Sequence, residues 1–320
     1  MIQTQMTLGE FLDKWLDGVR ISVKYSTYIS YKGYIDNHIK RLIGHIVLEE
    51  LKPMIIQEYV NSLVVEQRLS ARTIGIIITM LGRVFSDAED YEVITRNPCR
   101  KIRLPKVDED EVEVLTRAEQ TKLEKIIVNS GDNRAYGIML TLYTGLRVGE
   151  LCGLRWSDIS LATKSLKIKA SLNREASDAT CKKKTKMKLS DPKTKKSKRI
   201  IELPSFIADL LKRLKCESNS DYVFSMKNGK FVDPRTMQFL FKKLLEKAGV
   251  SPKKFHALRH TFATRAAEQG ADPKTVSETL GHSNTNITLN RYTHSLKESK
   301  VKMMKGFDQF FKDKKIATFL

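Results

Sequence analysis

His256-Ala257-Leu258-Arg259-His260, then Gly281-His282, then Arg291-Tyr292 is the stretch around which this 320-residue chain is organised. Three imidazoles and two guanidiniums precede a tyrosine whose neighbours Asn290, Arg291 and Thr293 make a polar setting rather than a buried aromatic one. A phenol ionises near pH 10, so about one in a thousand is charged at neutral pH, a handicap of roughly 4 kcal/mol for a nucleophile. Such an oxygen attacks a phosphodiester well only when a base takes its proton and fixed cations hold the charge on the phosphoryl oxygens. A histidine alone at a helix start is usually a cap or a surface group. Here Arg259 follows His256 by one turn and shares its face. The combination suits phosphate chemistry.

Charge points the same way. The net charge is +20, and residues 106–320 hold 43 Lys/Arg against 25 Asp/Glu, whereas residues 1–105 are close to balance with 14 against 12. Residues 160–200 alone carry 14 basic and 3 acidic side chains. A field of this sign suits a polyanion, of which nucleic acid is the commonest in the cytosol. A chain of this length is expected to form two domains. Its 41% hydrophobic content marks it as globular. The longest apolar runs, such as Ile76-Ile77-Ile78, cannot span a bilayer, and the N-terminus lacks a basic-then-apolar signal, so no membrane partner and a cytoplasmic location are expected. Cys99, Cys152, Cys181 and Cys216 are scattered without a C-x-x-C pair, which argues against a zinc site or a disulfide framework.

Taken from the N-terminus, Thr7-Leu8-Gly9-Glu10 has capping-box spacing, and Leu8, Phe11, Leu12, Trp15, Leu16 and Val19 follow at helical intervals. A second helix is expected after Ser26-Thr27, with Tyr28, Tyr31, Ile35 and Ile39 facing a core, ending at Gly44. Pro53 suits the first turn of a third helix running to about Gln67. Ser70 can cap a fourth that bears Ile74, Ile77, Ile78, Leu81, Val84 and Phe85. These helices make a bundle of about 100 residues. Asn97-Pro98 ends it, and the segment through Asp108-Glu109-Asp110-Glu111 reads as an acidic linker.

The second part opens with a capping box at Thr116-Arg117-Ala118-Glu119 and a helix around Tyr136–Tyr143 that Thr144-Gly145 breaks. Arg147 then lies at the turn into a new helix anchored by Leu151 and Leu154. Glu150 is spaced to support it, the bland alternative being a surface Arg–Glu pair of little weight. Leu166, Ile168 and Ala170 alternate with Lys167 and Lys169 as in a strand, and Arg199-Ile200-Ile201-Glu202-Leu203-Pro204 reads as a strand returning from a hairpin. The lysine-rich stretch 181–198 between them is expected to be a long basic loop. Helices follow at 205–215, 234–248, 256–268 and from Asp272-Pro273 to Gly281, with a short one around Tyr292. Val301, Met304, Phe307, Phe310 and Phe311 make an apolar stripe on a terminal helix that packs on its own domain or docks on another protomer.

Five segments now stand in order: Thr144-Gly145-Leu146-Arg147-Val148-Gly149-Glu150-Leu151, Lys193-Thr194-Lys195-Lys196-Ser197-Lys198-Arg199, His256-Ala257-Leu258-Arg259-His260-Thr261, Leu280-Gly281-His282-Ser283 and Arg291-Tyr292-Thr293-His294. Together they resemble the tyrosine recombinases, the phage-integrase family of site-specific DNA recombinases, and residues 7–100 look like that family's helical core-binding domain. The resemblance implies a mainly α fold with a small antiparallel β-sheet. It sets a SAM-like helical core-binding domain at 1–105, a linker at 106–112 and a catalytic domain with a C-terminal helix at 113–320.

The same resemblance implies that Tyr292 is the nucleophile, forming a 3′-phosphotyrosyl link. Arg147 and Arg259 would hold the non-bridging oxygens, His256 would be the general acid/base, and His282 would support phosphate and nucleophile. Lys193 would protonate the leaving 5′-oxygen, with Lys182, Lys183, Lys184, Lys186, Lys188, Lys195, Lys196 and Lys198 as rivals in the same stretch. His260 and His294 are read as structural, and Arg72 as a candidate DNA contact. Implied partners are double-stranded DNA with two recombination sites, three further copies of the chain in a homotetramer on that DNA, and accessory directionality or DNA-bending factors. Neither metal nor other cofactor is expected. Many family members carry a further N-terminal arm-binding domain, for which the capping box at Thr7 leaves no room. Either the protein works without arm sites or the sequence is shortened. A type IB topoisomerase, or a DNA-binding regulator of the same fold without catalysis, are the rival readings.

Overall fold

The computed structural model describes residues 6–107, 112–176, 185–190, 198–281 and Met304. The chain divides into two compact units, Met1–Asp110 and Glu111–Leu320, each with its own hydrophobic core. Among the described residues no helix is long and apolar enough to cross a membrane.

In the first unit, Thr7 opens α1 (Leu8–Val19) with a closed capping box: the Thr7 hydroxyl accepts the Glu10 N–H at 3.3 Å, and the Glu10 carboxylate accepts the Thr7 N–H at 2.9 Å. Leu8, Phe11, Leu12, Trp15, Leu16 and Val19 are all buried, as their spacing requires. The second helix departs from expectation. It starts at Tyr25 behind Lys24, and α2 (Tyr25–Tyr34) passes through a wider π turn at Ile35–Ile39 into α3 (Lys40–Ile43). Its tyrosines 28, 31 and 34 lie partly buried on the core, which Ile35, Ile39 and Ile43 complete. Pro53 starts α4 (Pro53–Val65), and the Ser70 hydroxyl accepts the Thr73 N–H at 3.2 Å to cap α5 (Ala71–Asp90). Trp15 of α1 donates to Asp87 of α5 at 2.5 Å, joining the first and last helices of the bundle.

The second unit begins with α6 (Arg117–Val128), α7 (Ala135–Thr144) and the short α8 (Val148–Cys152), whose Leu151 and Cys152 are buried. Strands β1 (Ile159–Ser160), β2 (Ser165–Ile168) and β5 (Arg199–Glu202) form an antiparallel sheet in the order β1-β2-β5, with Leu166 opposite Ile201 and Ile168 opposite Arg199. Among the described residues four named helices follow: α9 (Ser205–Cys216), α10 (Pro234–Lys247), α11 (His256–Glu268) and α12 (Pro273–Leu280).

The expected basic loop is in part a second sheet. β3 (Ser171–Ala176) and β4 (Thr185–Ser190) pair antiparallel from Ser171 opposite Ser190 to Ala176 opposite Thr185. Within Thr185–Ser190 the lysines alternate with Met187, which packs on the core, while Lys188 pairs with Glu175 across the ladder at 3.2 Å. The lysine content conceals a period of two. Gly149 lets this hairpin dock on α8, because a Cβ there would lie 2.6 Å from the Ser171 hydroxyl and 2.7 Å from the Leu172 carbonyl oxygen.

Candidate active site

The site grows from two left-handed glycines. Gly145 ends α7 with φ +66° and Gly281 ends α12 with φ +66°. A Cβ on Gly145 would lie 2.5 Å from Leu280 and 2.8 Å from Phe262, so α7, α11 and the end of α12 meet here with no room for a side chain. The last carbonyls of any helix lack partners within it and carry the negative end of its dipole. At α12 three successive carbonyls each receive a guanidinium N–H. Arg199 donates through Nε to Thr279 at 2.6 Å, Arg259 to Leu280 at 2.7 Å, and Arg147 to Gly281 at 3.4 Å.

Each arginine comes from a different element. Arg147 is the N-cap of α8, where the turn after Gly145 aims it. Arg259 lies in α11, is 2% exposed, and also donates to the Gly145 carbonyl at 2.8 Å. Arg199 opens β5 at a core-facing register, since residues 199 and 201 share a face and Ile201 is buried. Arg147 is the most accessible, with its side chain 38% exposed.

Glu150 ties two of them together. One carboxylate oxygen accepts from Arg147 at 2.8 Å and from Arg199 at 3.1 Å. The other accepts the Arg147 backbone N–H at 2.9 Å and Arg199 at 2.9 Å. At 3% exposure this is no surface pair of little weight, and Glu150 supports Arg147 as its spacing led us to expect: the carboxylate is buried because α8 packs between α10 and the β3–β4 hairpin. Burial pushes the carboxyl upward, but the hydrogen bond and charge of Arg199, then those of Arg147, hold it below the usual carboxylate range. The cysteine beside α8's core behaves otherwise, for burial pushes the Cys152 thiol up to about 12.

His256 begins α11 one turn before Arg259 and is exposed. Its ring meets that of His260 edge to face, with centroids 4.6 Å apart. Of the residues singled out from sequence, then, Arg147 and Arg259 converge on adjacent carbonyls, and His256 stands on the Arg259 helix. Arg72 is exposed in the first turn of α5, in the other unit. Lys193, His282, Tyr292 and His294 lie outside the described residues, as do the helix expected around Tyr292 and the terminal apolar stripe apart from Met304. His282 follows Gly281 directly in the chain.

Sequence reasoning passed over Arg199 as anything but the start of a strand. The signal was present. In Arg199-Ile200-Ile201-Glu202-Leu203, period-two alternation puts the arginine on the same face as Ile201 and Leu203, and a cation at a core-facing position requires an anion.

Residues 106–299 match the phage integrase family, and residues 7–64 match the N-terminal SAM-like domain of phage integrases. The chain is 34% identical to a tyrosine recombinase XerC-like protein of Caldanaerobacter subterraneus subsp. tengcongensis, over 96% of this chain and 84% of that protein. It is 25% identical to the integrase of Mycobacterium phage L5, over 89% of this chain and 74% of the relative. Its fold is similar to that of the Tn1549 transposon integrase in complex with a circular intermediate DNA, with a TM-score of 0.79 at 23% identity, covering 94% of this chain and 99% of that one. A lambda integrase tetramer bound to a Holliday junction gives a TM-score of 0.66 at 22% identity, over 88% of this chain and 78% of that one.

Proposed function

The chain belongs to the phage integrase family, and from that premise we propose how its residues divide the work of cutting and rejoining DNA. It is a tyrosine-type site-specific recombinase, acting on DNA through a covalent 3′-phosphotyrosyl intermediate. The observation that carries the assignment of residues is the meeting of Arg147 and Arg259 on the carbonyls of Leu280 and Gly281, one residue before His282.

In this reading Arg147 meets a non-bridging phosphate oxygen from the solvent side and Arg259 supplies charge from beneath it. A planar, permanently charged fork fits two oxygens of a phosphate better than an ammonium does. The Tyr292 hydroxyl gives its proton to His256 as its oxygen bonds to phosphorus. The bond from phosphorus to the 5′-oxygen breaks, and Lys193 supplies the proton that makes a 5′-hydroxyl. His282 steadies the phosphate and the nucleophile. Rejoining reverses these transfers with a 5′-hydroxyl from another strand. One phosphodiester is exchanged for one phosphotyrosyl ester, so no ATP is required, and guanidiniums rather than a metal meet the developing charge.

The remaining roles follow from the same premise. Residues 1–105 serve as the core-binding domain and 113–320 as the catalytic domain, joined by the linker at 106–112, with exposed Arg72 against the DNA backbone or bases. Exchange between two sites calls for four protomers on double-stranded DNA, in the cytoplasm where that DNA lies. Accessory directionality or DNA-bending factors complete the partners.

Covalent capture tests the assignment. A randomised pool of nicked duplexes, whose cleaved end diffuses away, is incubated with the protein and resolved under denaturing conditions. The unaltered protein is expected to trap a subset of the pool, and Tyr292→Phe to bind that subset with unchanged affinity and trap none. Adduct formation by Tyr292→Phe would remove the nucleophile from this reading.

A further inference from the structure

We propose that Arg199 is a positioning residue for strand cleavage: through Glu150 it fixes the guanidinium of Arg147, and through the Thr279 carbonyl it fixes the last turn of α12. The inference rests on the reading of Arg147 and Arg259 as the phosphate clamp.

Arg199 does not itself face a phosphate. Its side chain is 6% exposed, and all three nitrogens are engaged with protein groups, Nε on Thr279 and the two terminal nitrogens on the two oxygens of Glu150. A residue whose only task was to close the core beneath β5 would be better apolar, because a buried ion pair gains little stability over hydrophobic groups of the same volume. What an arginine supplies here is direction. Its planar fork fits a carboxylate edge-on, so both Glu150 oxygens are held in one plane.

The same two oxygens grip Arg147 at two points, the backbone N–H and one terminal nitrogen. Glu150 therefore transmits the plane set by Arg199 to the arginine that faces solvent. Without Arg199, the buried carboxylate has Arg147 as its remaining cation among the contacts described here, and Coulomb attraction draws that guanidinium inward. A misplacement of about 1 Å at a reacting centre costs on the order of 100-fold in rate. The bond to Thr279 acts on the other side of the site, at the helix turn that leads into Gly281 and His282. Arg199 thus links the strand that follows Lys193 in sequence to α8, which Arg147 caps, and to α12, which ends just before His282 in the chain.

The test uses the full chain and the duplex captured by the unaltered protein from the nicked pool. Arg199→Met keeps bulk and removes the fork. It is expected to lower the single-turnover rate of adduct formation about 100-fold while duplex affinity changes less than about 3-fold. Arg199→Lys restores a charge to Glu150 but cannot span Glu150 and Thr279 together, and is expected to recover about 10-fold of that loss. A double-mutant cycle separates positioning from general structural support, since in a Glu150→Gln background Arg199→Met should add only the roughly 10-fold loss that belongs to its Thr279 bond, whereas independent effects multiply to the full loss of about 100-fold. Thermal midpoints establish that each variant is folded. Adduct formation by Arg199→Met at the unaltered rate, or losses that multiply across the cycle, would overturn the inference alone. Failure of the unaltered protein to capture any duplex would instead overturn the phosphate-site reading beneath it.

Discussion

Replacing Glu150 by Gln keeps shape and one acceptor oxygen while removing the only carboxylate that the described contacts place between Arg147 and Arg199. The two ion pairs differ in weight. Arg147 is 38% exposed, so water screens its pair with Glu150 and its share is small, about 0.5 kcal/mol. The Arg199 pair is buried on both sides, at 6% and 3% exposure. Removing one partner of a buried pair costs about 3–5 kcal/mol, and the retained amide oxygen puts Glu150→Gln at the lower end, about 3 kcal/mol near neutral pH. The sign with pH follows from the depressed carboxyl. A carboxylate held below its unfolded value contributes stability that is fully present above the unfolded value, about 4.3 for a glutamate, and is lost as pH falls through the lowered folded value. The gap between the unaltered protein and Glu150→Gln should therefore be constant above about pH 5 and narrow as pH falls through the lowered folded value. Urea unfolding followed by Trp156 fluorescence reads the second unit, once Trp15 of the first is replaced by Phe in both proteins. A gap under about 1 kcal/mol at pH 7, or one that does not narrow at any acid pH at which the protein still folds, would refute a buried, ionised Glu150 as the tie between these arginines.

Arg147→Ala and Arg259→Ala should each lower adduct formation by about 100- to 1000-fold or more, since each removes a fixed charge from the transition state; single-turnover cleavage of the captured duplex measures this. Duplex affinity should fall far less for Arg259→Ala than for Arg147→Ala, because the former side chain is buried and the latter half-exposed. Gly145→Ala imposes a left-handed alanine, about 1–2 kcal/mol, and a Cβ 2.5 Å from Leu280, about 1–3 kcal/mol more; the same urea titration should show a loss of about 2–5 kcal/mol together with slower cleavage, because the Leu280 carbonyl accepts from the Arg259 guanidinium. Incubation with EDTA should leave the cleavage rate unchanged, and a rate restored only by Mg²⁺ would contradict charge stabilisation by guanidiniums.

What could be read along the chain was local. The capping boxes at Thr7 and Thr116, the stripe on α1 and α5, and the breaks at Gly145 and Gly281 involve partners three or four residues apart, so order along the chain specifies them. The π turn at Ile35–Ile39 was not legible, because a helix of either kind puts isoleucines four apart on one side and only packing against the bundle selects the wider turn. The β4 strand was hidden for another reason: lysine-rich composition reads as loop unless its period of two is counted.

The sequence by itself determined the helices, the family resemblance, and the residue types from which a phosphate site is made. Only the tertiary structure decided that Glu150 is buried rather than exposed, and that Arg199, Arg259 and Arg147 reach three consecutive carbonyls at one helix end. The physical reason lies in distance along the chain. Arg199 and Thr279 are 80 residues apart, Arg259 and Gly145 are 114, and Arg147 and Gly281 are 134. No local pattern ties such residues; packing brings their elements together, and a buried carboxylate and unpaired helix-end carbonyls then leave each guanidinium one low-energy place to be.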